Sequence, residues 1–145
     1  MSNTNVVNAL KVVLADSYSL YLKTQNYHWN VEGPHFKTLH VLFEEQYTDL
    51  ATAIDEIAEL IRGLGAKAPG TWKAYEAISN ITDGDEEKSA EAMVKDLIAD
   101  QDTLEKSLNA ALKAAQEVDD EVVGGAMVDR MTIHRKNKWM LSSSL

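Results

Sequence analysis

Two long runs of helically spaced apolar residues meet at a Gly33-Pro34 break, and that break constrains the fold more than any other feature of the chain. From Asn5 to about Val31, apolar side chains recur at Val6, Leu10, Val13, Leu14, Leu20 and Tyr21, with Val7, Tyr18 and Leu22 widening the stripe. After the break, Phe36, Leu39, Phe43, Tyr47, Leu50, Ile54, Ile57 and Ile61 make a second seam that runs to about Arg62. Pro34 suits the first position of that second helix, where its missing N–H has no intrahelical partner. Gly63-Leu64-Gly65 then supplies a stop. So short a link forces the two helices into an antiparallel hairpin.

Residues 63 to 88 form a connection too long for a hairpin loop, and TWKAYEAIS in its middle predicts a short helix. Ser89 is a candidate N-cap for a third long helix on the seam Ala90, Val94, Leu97, Leu104, Leu108, Ala111 and Ala115. An acidic turn over residues 117 to 120 leads to a fourth helix that ends near Trp139-Met140-Leu141. Gly124-Gly125 in its first turns costs roughly 1 kcal/mol per glycine against alanine, so that helix starts weakly. Links that are short, long, short belong to two hairpins joined by one crossover, the ferritin-like connection of an all-α four-helix bundle, here with an extra short helix in the crossover.

A length of 145 residues with 45% apolar content fits a single domain spanning residues 1–145. The net charge of -9 disfavours nucleic acid and anionic membranes as partners and favours cations. With no cysteine there is no thiolate site or disulfide, as expected of a cytoplasmic protein. The opening MSNTNVVNALK has neither the basic segment nor the apolar run of a signal peptide, and no stretch approaches the ~20 apolar residues of a membrane span.

The chemistry concentrates in YHWNVEGPHFKTLHVLFEEQY, which holds three of the four histidines. His28 lies five residues before Gly33 and His40 six after Pro34, so the hairpin sets the two imidazoles at nearly one height. Glu44, one turn beyond His40, completes a His, His, carboxylate group, and Asp55 with Glu59 forms a second i, i+4 pair. At about 100° per residue from Phe36, His40, Glu44, Asp55 and Glu59 fall at about 40°, 80°, 100° and 140°, on one flank beside a core stripe centred near about 340°. Fifteen residues separate His40 from Asp55, roughly 22 Å at ~1.5 Å per residue, too far for one ion. A second copy packed antiparallel about a two-fold axis near Asp49 and Leu50 brings His40 and Glu44 of one chain to Asp55 and Glu59 of the other. Thr48, Ala51 and Thr52 allow close approach there, and two identical sites result. Imidazole and carboxylate without thiolate suit iron, manganese or zinc.

The remaining residues read more plainly. His35 belongs to the surface, because Gly-Pro breaks the helical geometry an Glu-x-x-His pair needs. His134, in HRKNKW near a helix C-terminus whose dipole favours cations, is structural. Trp29 and Tyr47 read first as core aromatics, and Arg130, Arg135, Lys136 and Lys138 as a solvated helix face.

Taken together, the histidine-rich segment, the following DEIAE and the ending HRKNKWML resemble the Dps family, the ferritin-like mini-ferritins named for DNA binding in starved cells. The resemblance implies a hollow dodecamer built from two-fold dimers, with ferroxidase sites between subunits that oxidise ferrous iron, preferentially with hydrogen peroxide, and store it as ferric mineral. His28, His40 and Glu44 from one subunit and Asp55 and Glu59 from its partner match the family's ligand positions; zinc or manganese would compete there. It further implies Trp29 as a quencher of oxidising equivalents and residues 72–79 at the dimer interface, with Asp120 and Glu121 expected to compensate at the iron-entry pore for the acid that Gly125 replaces. Three departures stand out. No basic residue precedes Lys11 and twelve chains would carry on the order of a hundred negative charges, so DNA binding is not expected. Leu60 and Gly125 stand where the family usually has Arg and Asp. The alternative is a nucleoid-compacting or structural cage with a vestigial metal site.

Overall fold

The computed structural model describes residues 3–145, and all its regular elements are helices: α1 (Thr4–Asn30), α2 (Phe36–Gly63), α3 (Trp72–Ile78), α4 (Ala90–Glu117) and α5 (Glu121–Ser142). The α1/α2 and α4/α5 hairpins pack internally and against each other through α1 and α4, and α3 rides on α1. This is the four-helix bundle with a crossover helix that the link lengths predict. Among the described residues, no helix is long and apolar enough to cross a membrane.

Three helix starts and the end of α4 have a local cause. Thr71, Ser89 and Asp120 cap α3, α4 and α5 by accepting the backbone N–H of Ala74, Ala92 and Val123, each cap being worth ~1 kcal/mol. Asp119, at φ 56°, takes the left-handed position that ends α4, and the Asp120 N–H folds back to the Ala115 carbonyl at 2.9 Å. The expected start of α2 shifts by two residues. Pro34 lies in a turn rather than at the first helical position, with Gly33 at φ 114° and the Phe36 N–H on the Gly33 carbonyl at 3.1 Å. That left-handed φ is what a Cβ would oppose.

The core follows the predicted stripes with three exposed exceptions. Tyr18 and Leu22 are each 37% exposed and Phe36 42%, so the stripes of α1 and α2 are wider than one bundle can cover. Buried polar groups pin the crossover. Asp16, fully buried, accepts from Ser79 Oγ, the Asn80 N–H and Ser107 Oγ. Lys23, almost as buried, pairs with Asp96 at 3.2 Å and Asp100 at 2.9 Å. Tyr27 donates its hydroxyl to Asp96 and accepts the Asp85 N–H. Gly84 passes so close that a Cβ there would meet Tyr27 and Lys23 at 3.1 Å.

Candidate metal centre

His28 sits in the last turn of α1 and His40 in the second turn of α2, side by side across the Gly33-Pro34 turn. Their rings stack with centroids 3.8 Å apart and 12° between planes. The stack is locked reciprocally: His28 Nδ1 lies 2.6 Å from the His40 carbonyl oxygen, and His40 Nδ1 lies 2.6 Å from that of His28. A carbonyl only accepts, so both Nδ1 atoms carry hydrogen and donate. In the neutral ring this leaves each Nε2 its lone pair, the tautomer a metal-binding histidine needs, and the carbonyl partners are the usual outer support for such a ligand.

The third donor is Glu44, one turn along α2, whose Oε2 is 3.7 Å from His28 Nε2. One ligand atom from each of His28, His40 and Glu44 lies within 4.8 Å of the others. Donors around a first-row ion at ~2.1 Å sit ~3–4 Å apart, a spacing near that of this set. His28 is buried, His40 half-buried and Glu44 exposed, so the cluster opens outward. Phe36 stacks on His40 at 4.9 Å, and Tyr47 meets His28 edge-on at 5.2 Å. The residues fit a divalent first-row cation and leave its remaining positions open.

Asp55 and Glu59 lie farther along the same unbroken helix, exposed and outside this cluster. A hydrogen bond to Asp55 and repulsion from its charge raise the Glu59 carboxyl above the usual carboxylate range. Two acids so placed favour a proton or a cation between them. The chain thus presents a His, His, carboxylate cluster and, farther along, a pair of acids on one flank of α2.

Other residues depart from their sequence readings. Trp29 is 62% exposed and is not a core aromatic, because Tyr27 takes the buried position and Trp29 falls on the flank of Tyr18 and Leu22. Tyr47 is half-buried. Arg130 does not join a solvated face: it is buried, ion-paired with Asp49 at 2.9 Å and hydrogen-bonded to His134. Arg135 and Lys138 do lie outward, on Glu105 and Asp102. His134 is not cationic. Burial first, then the Arg130 charge, push it down to about 3. Its Nδ1 donates to Gln101 at 2.7 Å, and its Nε2 accepts from Arg130 at 2.9 Å. His35 is exposed, as read. Asp120 serves as the α5 cap and Glu121 is exposed beside it. The sequence reading missed this buried network, though Val123, Met127, Arg130 and His134 keep core spacing.

Comparison with known proteins places this geometry in company. The ferritin-like domain family matches residues 7–145. The chain is 39% identical over 143 residues to DNA protection during starvation protein 2 of Bacillus anthracis, covering 99% of this chain and 98% of that protein. Among solved structures it is similar to a Dps protein from Bacillus brevis, with TM-score 0.94 and 33% identity over 97% of this chain and 95% of that one. It is also similar to the Dps protein of Vibrio cholerae O1, described as a member of a broad superfamily of ferritin-like diiron-carboxylate proteins, with TM-score 0.93 and 32% identity over 98% of this chain and 89% of that one.

Proposed function

Because the chain belongs to the Dps family of ferritin-like proteins, we propose that it is a ferroxidase and iron-storage cage, oxidising ferrous iron with hydrogen peroxide at sites shared between subunits. The observation that carries this reading is the His28, His40 and Glu44 cluster: two bare Nε2 atoms and a carboxylate oxygen converge, yet the set is open on one side. The second half-site, Asp55 and Glu59, stands roughly 22 Å along the same helix at ~1.5 Å per residue. An antiparallel two-fold pairing of α2 completes both at once. Thr48, Ala51 and Thr52 are exposed between the half-sites, where small side chains let two helices approach. The exposed Tyr18, Leu22, Trp29 and Trp72 provide apolar area for a second copy to cover.

In this reading ferrous iron is the substrate. His28 and His40 hold one ion with the partner's Asp55 and Glu59, and Glu44 binds a second, more labile ion. Carboxylates favour the ferric product, while the imidazoles keep affinity for the ferrous form. Two ions side by side deliver both electrons that peroxide needs, and no hydroxyl radical is released. Trp29, exposed and adjacent to His28, serves as a quencher of stray oxidising equivalents, and Asp120 and Glu121 attract incoming cations. Six such dimers close into a dodecamer that holds the ferric mineral in the cytoplasm, with zinc and manganese as competitors for the site.

Stopped-flow mixing of ferrous iron and peroxide tests this. Acceleration over buffer is expected, with a return to the buffer rate in a His40→Ala, Asp55→Ala double variant; an unaccelerated wild type, or an unaffected double variant, rejects the enzyme. A native mass of one subunit rejects the shared site. The charge of -9 per chain predicts no DNA gel shift at physiological salt.

A further inference from the structure

Four of the five tyrosines form one unbroken line of ring contacts that begins at the metal centre. Tyr47 on α2 meets His28 edge-on at 5.2 Å. Tyr21 on α1 meets Tyr47 at 5.8 Å and 75°. Tyr18, one turn back on α1, meets Tyr21 at 5.9 Å and 64°. Tyr75 on α3 stacks on Tyr18 at 4.9 Å and 27°. Tyr27, the fifth, is in no ring contact among the described residues and spends its hydroxyl on Asp96.

We infer that Tyr47, Tyr21, Tyr18 and Tyr75 are a relay that carries a single oxidising equivalent from the His28–His40 centre along the bundle to α3. The inference rests on the ferroxidase reading and adds a function to it: safe reduction of peroxide when only one ferrous ion is bound. Peroxide needs two electrons for its O–O bond to break into hydroxide and water. One comes from the ferrous ion, which becomes ferric. The other comes from Tyr47, whose phenolic proton leaves with it to make the water, so that one ferrous ion, one peroxide and one phenol give one ferric ion, one phenoxyl radical, one hydroxide and one water. Each later step moves one electron and one proton from the next phenol to the previous radical. The relay is reset when another ferrous ion gives an electron, and water a proton, to the radical at Tyr18 or Tyr75.

Electron transfer decays steeply with gap width, so rings in van der Waals contact favour short hops over one long jump. The contacts lie within the ~4.5–7 Å range of packed aromatic pairs. The phenols suit the task as well. Among the described residues no protein group hydrogen-bonds the hydroxyls of Tyr18, Tyr21 or Tyr47, so none of the three phenolic protons is held by a protein acceptor. Tyr75, at the far end, is buried and donates to the Pro69 carbonyl at 2.6 Å. The line crosses three helices, which a packing cluster within one helix face would not do.

Freeze-quench electron paramagnetic resonance distinguishes a relay from mere packing, because Tyr→Phe keeps the ring. The assembled protein is loaded with one ferrous ion per chain and mixed with peroxide, and oxidised tyrosines are then mapped by peptide mass spectrometry. Wild type is expected to give a tyrosyl signal, with oxidation products at Tyr18 and Tyr75. Tyr47→Phe is expected to lose both, and Tyr21→Phe to lose the products at Tyr18 and Tyr75 while those at Tyr47 rise. Tyr27→Phe is expected to match wild type. Wild type that oxidises iron without a tyrosyl signal overturns the relay and leaves the ferroxidase standing. So does a Tyr47→Phe or Tyr21→Phe protein that keeps wild-type products at Tyr18 and Tyr75. Wild type that does not oxidise iron overturns both.

Discussion

His28 and His40 share a tautomer with His134 and meet opposite fates. All three donate from Nδ1, the first two to each other's backbone carbonyls and the third to Gln101. At the hairpin turn each Nε2 is then left bare beside Glu44. Inside the second hairpin, Arg130 occupies the His134 Nε2 at 2.9 Å and supplies the positive charge itself, balanced by Asp49. The guanidinium takes up the lone pair a metal would need, so His134 is closed to a cation, whereas no protein donor occupies the Nε2 of His28 or His40. What makes an imidazole a ligand is therefore the partner of its second nitrogen more than its burial or its helix.

The largest effect expected from that contrast is on metal binding. Titrated with cobalt(II) as a spectroscopic stand-in, a His28→Ala, His40→Ala protein should lose affinity by more than the ~10–100-fold that removing a mere outer partner costs. His134→Gln, whose amide oxygen can still accept from Arg130, should bind as wild type does. Equal losses in the two proteins would sink the comparison. Next in size, Arg130→Met leaves Asp49 and His134 without their donor. Breaking a buried ion pair costs ~3–5 kcal/mol, and because the Asp49 side chain is 37% exposed the loss should fall near the lower figure, about 3 kcal/mol by urea denaturation. Cobalt affinity should not change.

The two sites also differed in how far the sequence revealed them. His28, His40 and Glu44 were legible because a short turn fixes hairpin register, and residues equidistant from Gly33-Pro34 must face each other. The start of α2 was not, since Pro34 fits a turn as well as a first helical turn. Trp29 was misplaced because composition favours a buried tryptophan, whereas the phase of α1 gives the core to Tyr27. Arg130 keeps core spacing, but its charge argued for solvent, and only the unseen partner Asp49 makes its burial affordable; His134 was read as structural, with its partner Gln101 equally unseen. The crossover pins were beyond reach for a different reason. Asp16 meets Ser107 across 91 positions, and no local pattern records such a pairing.

Acid pH separates the interiors further. Burial raises Asp100 to about 6, with Lys23 opposing, and burial lowers His134 to about 3. Between about pH 4 and 6 the native state binds more protons at Asp100 than the unfolded chain does, so this group's contribution falls as pH rises, by ~3 kcal/mol for a shift of about two units. At His134 the native state binds fewer, so its contribution is full above about pH 6.5 and is lost as pH falls toward 3. The slopes oppose each other. Urea midpoints taken from pH 4 to 7 should show Asp100→Asn losing stability more steeply on acidification than wild type, and His134→Gln less steeply; parallel curves would refute both assignments.

The smallest effect probes whether the hairpins are energetically separate. Gly125 lies in the second turn of α5, and a Cβ there would meet nothing within 4 Å, whereas at Gly124 it would touch Leu112 at 3.5 Å. Alanine at 125 removes backbone freedom from the unfolded chain without a steric cost and should stabilise by ~0.5–1 kcal/mol, a rise in Tm of ~2–4 °C for a chain of this size. It changes the weak start of the second hairpin, on the other side of the molecule's contrast from the histidine pair. Cobalt affinity should therefore stay at the wild-type value while Tm rises. A Gly125→Ala protein with altered metal binding would show that the start of α5 and the α1/α2 turn are coupled, and that the open and closed histidines are not independent.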